Sequence, residues 1–503
     1  MWKFGIEKEG AEYAIILLAP LAATRRTASR NYKKSQMPTS SRKIYLWYCI
    51  AVLTLGLAVP AAAQTRPLLQ DIQVVKTEAP LPAATPLIKK TSSVDVVAPT
   101  VSSYSPINTT IPVLENFSIP GYTGILVETL DGEPVVESGS NLTYNPASNV
   151  KIATTYAVIK TFGPDYRFAT SVWTDGSYEE GTGTIHGNLY VSGRDPVFGY
   201  EHAVALAHEL NRMGIRAVEG DLVVTDNFAM NHTSSATTSS KILFATLDAS
   251  KRSSIATRIW QNFLVNSGKL SQTTATNPSV TFTGSVYLTS VPSNAKLIFS
   301  HESAPLRSIV KAMMCYSNNF LAERLGSFVG GPFAVSKIVQ QNTGVQPAEF
   351  YLATSSGLGI NRVTPAAMMK LLRVLRSDLS RYRMTFADIM PVAGVDKGTL
   401  EGRFDSDFSE GSVVGKTGTL GRTDGGVSAL AGEMNTRGGR LLFVIFNQRG
   451  SVSRFRAFQN LYVSTIQGQF GGAAPISYNP LSLDFKLSKT RFSYPSDGSV
   501  GSE

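Results

Sequence analysis

The chain is short of cysteine and histidine, and both shortages narrow what it can be. Among 503 residues the only cysteines are Cys49 and Cys315. Cys49 lies inside an apolar N-terminal run that reads as a leader, and one remaining cysteine cannot close an internal disulfide. The five histidines (186, 202, 208, 232 and 301) fall in no metal-ligand spacing, so structural use is expected for them, with no metal or cofactor. A basic stripe is also missing. The formal charge is +10, but residues 1–63 hold nine of the 47 Lys/Arg and three of the 37 Asp/Glu, which leaves +4 for the rest. Nucleic acid is not an expected partner. No internal repeat is visible.

One long apolar run is present, Ile44 to Ala63, with Arg42-Lys43 before it and Ala61-Ala62-Ala63-Gln64 at its end. A basic flank, an apolar segment and small residues at a cleavage point describe a secretory signal peptide. Met37 is well placed as the start, with residues 1–36 as an upstream extension. The alternative is an uncleaved anchor, since 20 apolar residues can span a bilayer. Either way the expectation is a periplasmic or otherwise extracytoplasmic protein, touching membrane only through an uncut leader. Residues 64–112 are rich in Pro, Thr, Ser, Ala and Val without a sustained period, which reads as a linker.

Order is expected from about residue 113. Gly124–Glu128 and Pro134–Ser138 around Asp131-Gly132 read as a hairpin, and Gly426–Met434 with Arg440–Phe446 as a second one. Between them the spacing predicts helices over Glu201–Met213, His301–Met314 and Thr364–Ser377, and a closing helix over Arg454–Ile466. Short strands are expected within Tyr166–Trp173, Gly187–Ser192 and Asp221–Thr225. Residues 231–255 are Ser/Thr-rich and have no clear period. The two hairpins are expected to share one antiparallel sheet, an α+β architecture. The catalytic part is expected over 113–162 and 300–475, interrupted by an inserted module over 163–299 and followed by a loosely ordered tail over 476–503.

The most informative stretch is Tyr144-Asn145-Pro146-Ala147-Ser148-Asn149-Val150-Lys151. Asn145-Pro146 reads as a turn, a helix follows from about Ser148, and Gly163-Pro164 stops it. Ser148 and Lys151 then share a face, a hydroxyl with an amine one turn away. Ser-x-x-Lys alone is weak evidence, because it recurs at Ser40/Lys43, Ser293/Lys296 and Ser308/Lys311. Downstream, however, come Ser317-x-Asn319 on a turn into a helix and Lys416-Thr417-Gly418 on a strand. The ordered set is far more specific than any member, and such a trio marks β-lactamases and penicillin-binding proteins.

On these residues the sequence resembles the class C low-molecular-mass penicillin-binding proteins, the D-alanyl-D-alanine carboxypeptidase/endopeptidase family. Gly193-Arg194-Asp195-Pro196, Gly220-Asp221-Leu222, Asn318-Asn319-Phe320-Leu321-Ala322-Glu323, Ser356-Gly357-Leu358, Asn361-Arg362-Val363-Thr364-Pro365 and Gly398-Thr399-Leu400 add to it, over roughly 115–470. The resemblance implies a penicillin-binding/β-lactamase-like transpeptidase fold, an antiparallel sheet with flanking helices and an insertion between the first two motifs. It also implies a serine DD-peptidase acting on peptidoglycan stem peptides through an acyl-enzyme, with β-lactam antibiotics as covalent inhibitors. Ser148 would be the nucleophile and Lys151 its base, kept neutral by burial and by Lys416. Ser317 would relay the proton to the leaving group, and Asn319 would hold substrate or lysine. Lys416 and Thr417 would bind the terminal carboxylate. Gly418 would let substrate lie close, and Ser148 and Thr419 would supply oxyanion N–H groups. Asp226 would read the stem peptide's diamino acid. Two departures bear on substrate detail: Thr354-Ser355 replaces the family's Asp-Gly before Ser-Gly-Leu, and Ser/Thr-rich sequence at 233–254 replaces an aromatic-rich segment. A β-lactamase is the nearest alternative, although the Glu-x-x-Leu-Asn element of class A enzymes is absent. A non-catalytic wall-binding scaffold is the other, although a binder has no need of all five polar residues.

Overall fold

Strand pairing joins the two expected hairpins into one sheet. A computed structural model describes residues 106–269 and 277–495. Its main sheet holds β1 (Asn108–Thr109), β2 (Tyr122–Thr129), β3 (Pro134–Ser138), β4 (Val413–Leu420), β5 (Val427–Thr436) and β6 (Gly439–Gln448). They lie in the order β1-β3-β2-β6-β5-β4, antiparallel throughout. The run Leu441–Phe446 is apolar at every position because both faces of the sheet are covered. Leu442, Val444 and Phe446 point to a helical core, while Leu441, Phe443 and Ile445 point to the face closed by α6 (Val452–Gln469).

The helical side carries α1 (Val150–Phe162), α2 (Leu306–Tyr316), α3 (Asn319–Phe328), α4 (Gly331–Thr343) and α5 (Pro365–Arg381). Val150–Ile159 of α1 are buried without a break, so α1 is a central helix packed on all sides. α5 starts where the sequence says it should. Thr364 Oγ1 accepts from Ala367 N at 3.0 Å, and Pro365 occupies the first turn, where no N–H is needed. The expected helix over His301–Met314 begins five residues late: His301 lies in the strand Lys296–Glu302, and helix starts at Leu306.

Residues 169–302 build a module with its own core, around Val172, Leu189, Phe198, Leu206 and Phe299. Its larger sheet runs Val286–Leu288, Leu222–Val224, Leu189–Gly193, Ala169–Thr174, Lys296–Glu302, and the first three strands are parallel. The Ser/Thr-rich stretch forms a helix at Ala236–Leu247, followed by another at Ser254–Ser267. Serines that blur the helical pattern serve as caps: Ser235 Oγ accepts from Thr238 N and Ser253 Oγ from Ala256 N, both at 3.2 Å.

Two boundary expectations are corrected. The tail does not trail off. Leu483–Leu487 is helical, and Arg491–Ser493 adds an edge strand to Lys296–Glu302, with the Phe492 ring 5.4 Å from Phe299 and 5.3 Å from His301. An aromatic in a polar segment is what makes that docking favourable. The linker also ends sooner than expected, since Asn108–Thr109 pair with Val136–Glu137. The leader, the rest of the linker and Cys49 lie outside the described residues. Among the described residues no helix is long and apolar enough to cross a membrane.

Candidate active site

A strained turn presents Ser148. Ala147 holds φ 46°, a left-handed conformation that is uncommon outside glycine, and the 3₁₀ turn Ala147–Asn149 runs into α1. The turn is fixed from several sides. Asn145 Oδ1 accepts from Ala147 N at 3.0 Å, and Asn145 Nδ2 donates to Gly359 O at 2.9 Å and to Asp424 Oδ2 at 2.7 Å. Asp424 is in turn paired with Arg362 at 2.9 Å. Two glycines admit the turn. A Cβ at Gly357 would lie 2.0 Å from Ala147 O, and one at Gly418 would lie 2.6 Å from Pro146 O. The close approach at Gly418 is therefore made by the Ser148 turn itself, a use of that glycine different from the substrate contact expected from sequence.

Lys151 is fully buried. Its Nζ lies 3.1 Å from Ser148 Oγ, 2.7 Å from Asn319 Oδ1 and 2.6 Å from Ser356 O. The last two partners can only accept. A neutral amine would satisfy both with its N–H groups and turn its lone pair to the Ser148 hydroxyl. Burial brings the amine down to about 7, with the Glu323 carboxylate pulling the other way. Glu323, one turn after Asn319 on α3, also accepts from Ser355 N at 3.2 Å and Ser356 N at 2.9 Å. It thereby fixes the carbonyl that holds Lys151.

Lys416, from the middle of β4, is buried and donates to Ser317 Oγ at 2.9 Å and to Thr417 O at 2.7 Å. Burial and the charge of Lys151 push it well below the usual lysine range. The charge effect thus acts on Lys416, whereas Lys151, which was expected to be lowered by Lys416 as well, is brought down by burial alone. Ser317 itself is left-handed, φ 53°, at the joint between α2 and α3.

A cleft of about 660 Å³ opens over these groups, lined by Ser148, Ser317, Asn319, Thr417 and Thr419, with Leu358, Thr399, Arg403 and Arg456 at its edges. Asp226 is not among them. It is exposed on a separate groove of about 560 Å³, with Ser192, Arg194 and Thr289, where three parallel strands end. Sequence reasoning missed Glu323, Arg403, Arg456 and the Asn145–Asp424–Arg362 support. The spacing of Glu323 from Asn319, on one helix face, was an available signal; the others lie hundreds of residues or a sheet apart and left none.

Comparison with known proteins identifies the family and the fold. The chain is 24% identical over 439 residues to the D-alanyl-D-alanine carboxypeptidase DacB of Haemophilus influenzae, covering 66% of this chain and 90% of that protein. It is 25% identical over 463 residues to the D-alanyl-D-alanine carboxypeptidase of an Actinomadura species, covering 72% and 84%. The fold matches the penicillin G-acylated Bd3459 predatory endopeptidase of Bdellovibrio bacteriovorus with a TM-score of 0.62 at 23% identity, over 74% of this chain and 100% of that one. The model of the D-Ala-D-Ala carboxypeptidase 3 (S13) family matches residues 117–241 and 248–460, and the chain belongs to that family.

Proposed function

We propose that Ser148 is the nucleophile of this serine-type D-Ala-D-Ala carboxypeptidase and that Lys151 is its general base. Ser148 Oγ attacks the carbonyl of the penultimate D-alanine of a peptidoglycan stem peptide, and its proton passes to Lys151 Nζ. The oxyanion is held by the N–H groups of Ser148 and Thr419. The bond to the terminal residue then breaks, and the departing amine takes the Ser317 hydroxyl proton while Ser317 Oγ, held by the Lys416 Nζ hydrogen bond, receives the proton that Lys151 took from Ser148, so Lys151 is neutral again. Thr417, and Lys416 by its charge, help receive the leaving residue. Water enters next and attacks the acyl carbonyl, its proton passing to the neutral Lys151, which hands it to Ser148 Oγ as the ester bond breaks and the peptide leaves. Cleavage of a D-alanyl cross-link, the endopeptidase reaction, uses the same steps with a longer leaving group. β-Lactams acylate the same serine. Asp226, on its own groove, would meet only a part of the stem peptide that extends out of the cleft.

The observation that carries this reading is the contact of the buried Lys151 amine with Ser148 Oγ at 3.1 Å, its other two partners being acceptors only. Because the substrate is a wall peptide, we place the enzyme outside the cytoplasm, exported by the Ile44–Ala63 segment.

The test is a fluorescent penicillin incubated with the chain and with Ser148→Ala, read as covalent label on a denaturing gel. Label on the parent and none on the variant is the expected result. No label on either, with no turnover of the drug, would favour a dead scaffold. No label with rapid drug turnover would favour a β-lactamase.

A further inference from the structure

The two N–H groups assigned to the oxyanion come from distant parts of the chain, and one side chain spans them. Ser148 follows the left-handed Ala147, whereas Thr419 lies near the end of β4. Beyond β4 the chain enters the loop 421–426, where Asp424, Gly425 and Gly426 hold φ 51°, 69° and 93°. This coiling brings the Asp424 carboxylate, about four-fifths buried, back against the Ser148 turn. Its Oδ2 accepts from Asn145 Nδ2 at 2.7 Å. Arg362 closes the other side, with Nη2 on Oδ1 at 2.9 Å and Nη1 on Oδ2 at 3.0 Å. Asn145 is fully buried, its own N–H is held by Gln448 Oε1 at 3.1 Å, and its Oδ1 accepts from Ala147 N. It thereby passes the Asp424 contact on to the residue just before Ser148.

We propose that Asp424 is a positioning residue for the oxyanion site: acting through Asn145, it sets the spacing between the Ser148 N–H and the Thr419 N–H. This rests on Ser148 as the attacking group and on those two N–H groups as the donors. An Arg–Asp pair at a surface loop adds little by itself. Here the carboxylate also takes a bond from a buried amide, and a charged acceptor makes that bond a strong one. The direction of the pull matters as well. The close approach of Gly418 to Pro146 O is a wall, which stops the turn from moving toward β4 but not away from it. The Asp424–Asn145 bond pulls the other way, and wall and tether together fix the gap. An oxyanion needs both donors within about 2.7–3.1 Å, so a turn held from one side only would leave one donor out of reach. Ala147 adds to the need, because a left-handed non-glycine residue persists only where its surroundings over-determine it. Burial raises the Asp424 carboxyl, but the bonds from Arg362 and Asn145 outweigh it and hold the carboxyl below its ordinary value. The tether is therefore charged at every pH at which Lys151 is a free amine.

The test is penicillin acylation of the full chain, resolved into the dissociation constant of the non-covalent complex and the rate constant of acylation. Asp424→Ala is expected to lower the rate constant about ten- to a hundredfold, short of losing an oxyanion donor outright. The dissociation constant is expected to stay within about twofold, since the lost interaction belongs to the transition state. Asp424→Asn can still accept from Asn145 Nδ2 and is expected to recover most of the rate. In both variants the pH midpoint set by Lys151 stays in place, unlike the shift expected of a change at Glu323. The carbonyl stretch of the penicilloyl ester, read by isotope-edited infrared, is expected to move to higher frequency in Asp424→Ala as its hydrogen bonds weaken. Arg362→Gln, whose side chain does not contact Asn145, is the second variant if Asp424→Ala fails to fold, with a smaller loss of the same kind. An unchanged rate constant with an unmoved stretch overturns the proposal, and so does a loss confined to the dissociation constant. Failure of the Ser148 reading looks different: Ser148→Ala would then keep its covalent label, whatever Asp424 does.

Discussion

At the scale of single residues, the proposed chemistry turns on whether Lys151 holds a proton. Its folded-state value of about 7 lies far below the ordinary lysine value because burial penalises the ammonium. In the proposed mechanism the free amine is the competent base, so acylation must rise with pH and level off above the titration. Measured as the second-order rate of penicillin acylation, the rate is expected to have its midpoint near pH 7 and to fall about tenfold per unit below it. Glu323 raises the Lys151 value. Glu323→Gln removes that charge while keeping an acceptor for Ser356 N, so the acid limb is expected to move to lower pH. A profile flat down to pH 5, or an unmoved limb in the variant, would exclude Lys151 as the base. The decoy pair Ser308/Lys311 shows why the motif alone is poor evidence. Lys311 is just as buried, but its amine is spent on Asp396 Oδ2 at 2.6 Å, Ala387 O at 2.7 Å and Met390 O at 2.5 Å, and it holds a loop in place.

At the scale of elements, the site is a seam where the turn before α1, the α2–α3 joint, the loop at Ser355–Gly359 and strand β4 meet. Gly357 is the tightest point of that seam, with φ +88° and no room for a methyl group beside Ala147 O and Ser148 N. Gly357→Ala must therefore push the Ser148 turn away. A displacement of about 1 Å at a reacting group costs on the order of 10²-fold in rate, and that is the expected loss in penicillin acylation. Gly344→Ala, at the end of α4, is the control. It shares the positive φ, +70°, but meets open space, so it is expected to lose only about 1 kcal/mol of stability. Equal activity in the two variants would mean that the turn is not held from the Gly357 side. Much of this seam could be read in advance, because each piece has a local signal. Asn145-Pro146 announces the turn, Thr364-Pro365 the start of α5, and the apolar run Ile125–Val127 before Asp131-Gly132 the strand β2. What brings the pieces together is not local: Lys151 meets Asn319 and Ser356 across 168 and 205 residues. Only their order in the chain hinted at it. The Ser/Thr-rich helix at Ala236–Leu247 was opaque for a different reason. Its capping and buried serines, such as Ser239, which accepts from Met230 N at 3.0 Å, carry no apolar period.

At the scale of the whole molecule, the C-terminal segment connects parts that the sequence separates. Composition alone marks residues after Pro475 as polar and loose, yet each of their anchors is a specific contact. Tyr478 Oη donates to Asp396 Oδ1 at 2.8 Å, beside the Lys311–Asp396 pair that holds the loop leading to Thr399 and Arg403. Further on, Lys489 O accepts from Arg167 Nη1 at 2.6 Å and Arg491 Nε donates to Glu302 Oε2 at 2.7 Å. Tyr494 Oη donates to Glu209 Oε1 at 2.5 Å, on a helix of the inserted module. The same short segment thus supports a loop that lines the cleft at one end and closes the module's sheet at the other. Deleting residues 476–503 would bare Phe299 and His301 on the inner side of Lys296–Glu302, expose that strand's edge, and leave Asp396 without its tyrosine. The expected loss is about 3–5 kcal/mol, seen as a melting temperature lower by roughly 6–10 °C. Phe492→Ala alone is expected to show about half of it, since the ring supplies most of the apolar contact. Penicillin labelling at low temperature should persist in Phe492→Ala, whose contacts lie in the module, and weaken in the deletion, which also frees the Asp396 loop. Equal labelling in both, with the melting temperature still lowered, would confine the segment's role to the module and detach it from the cleft.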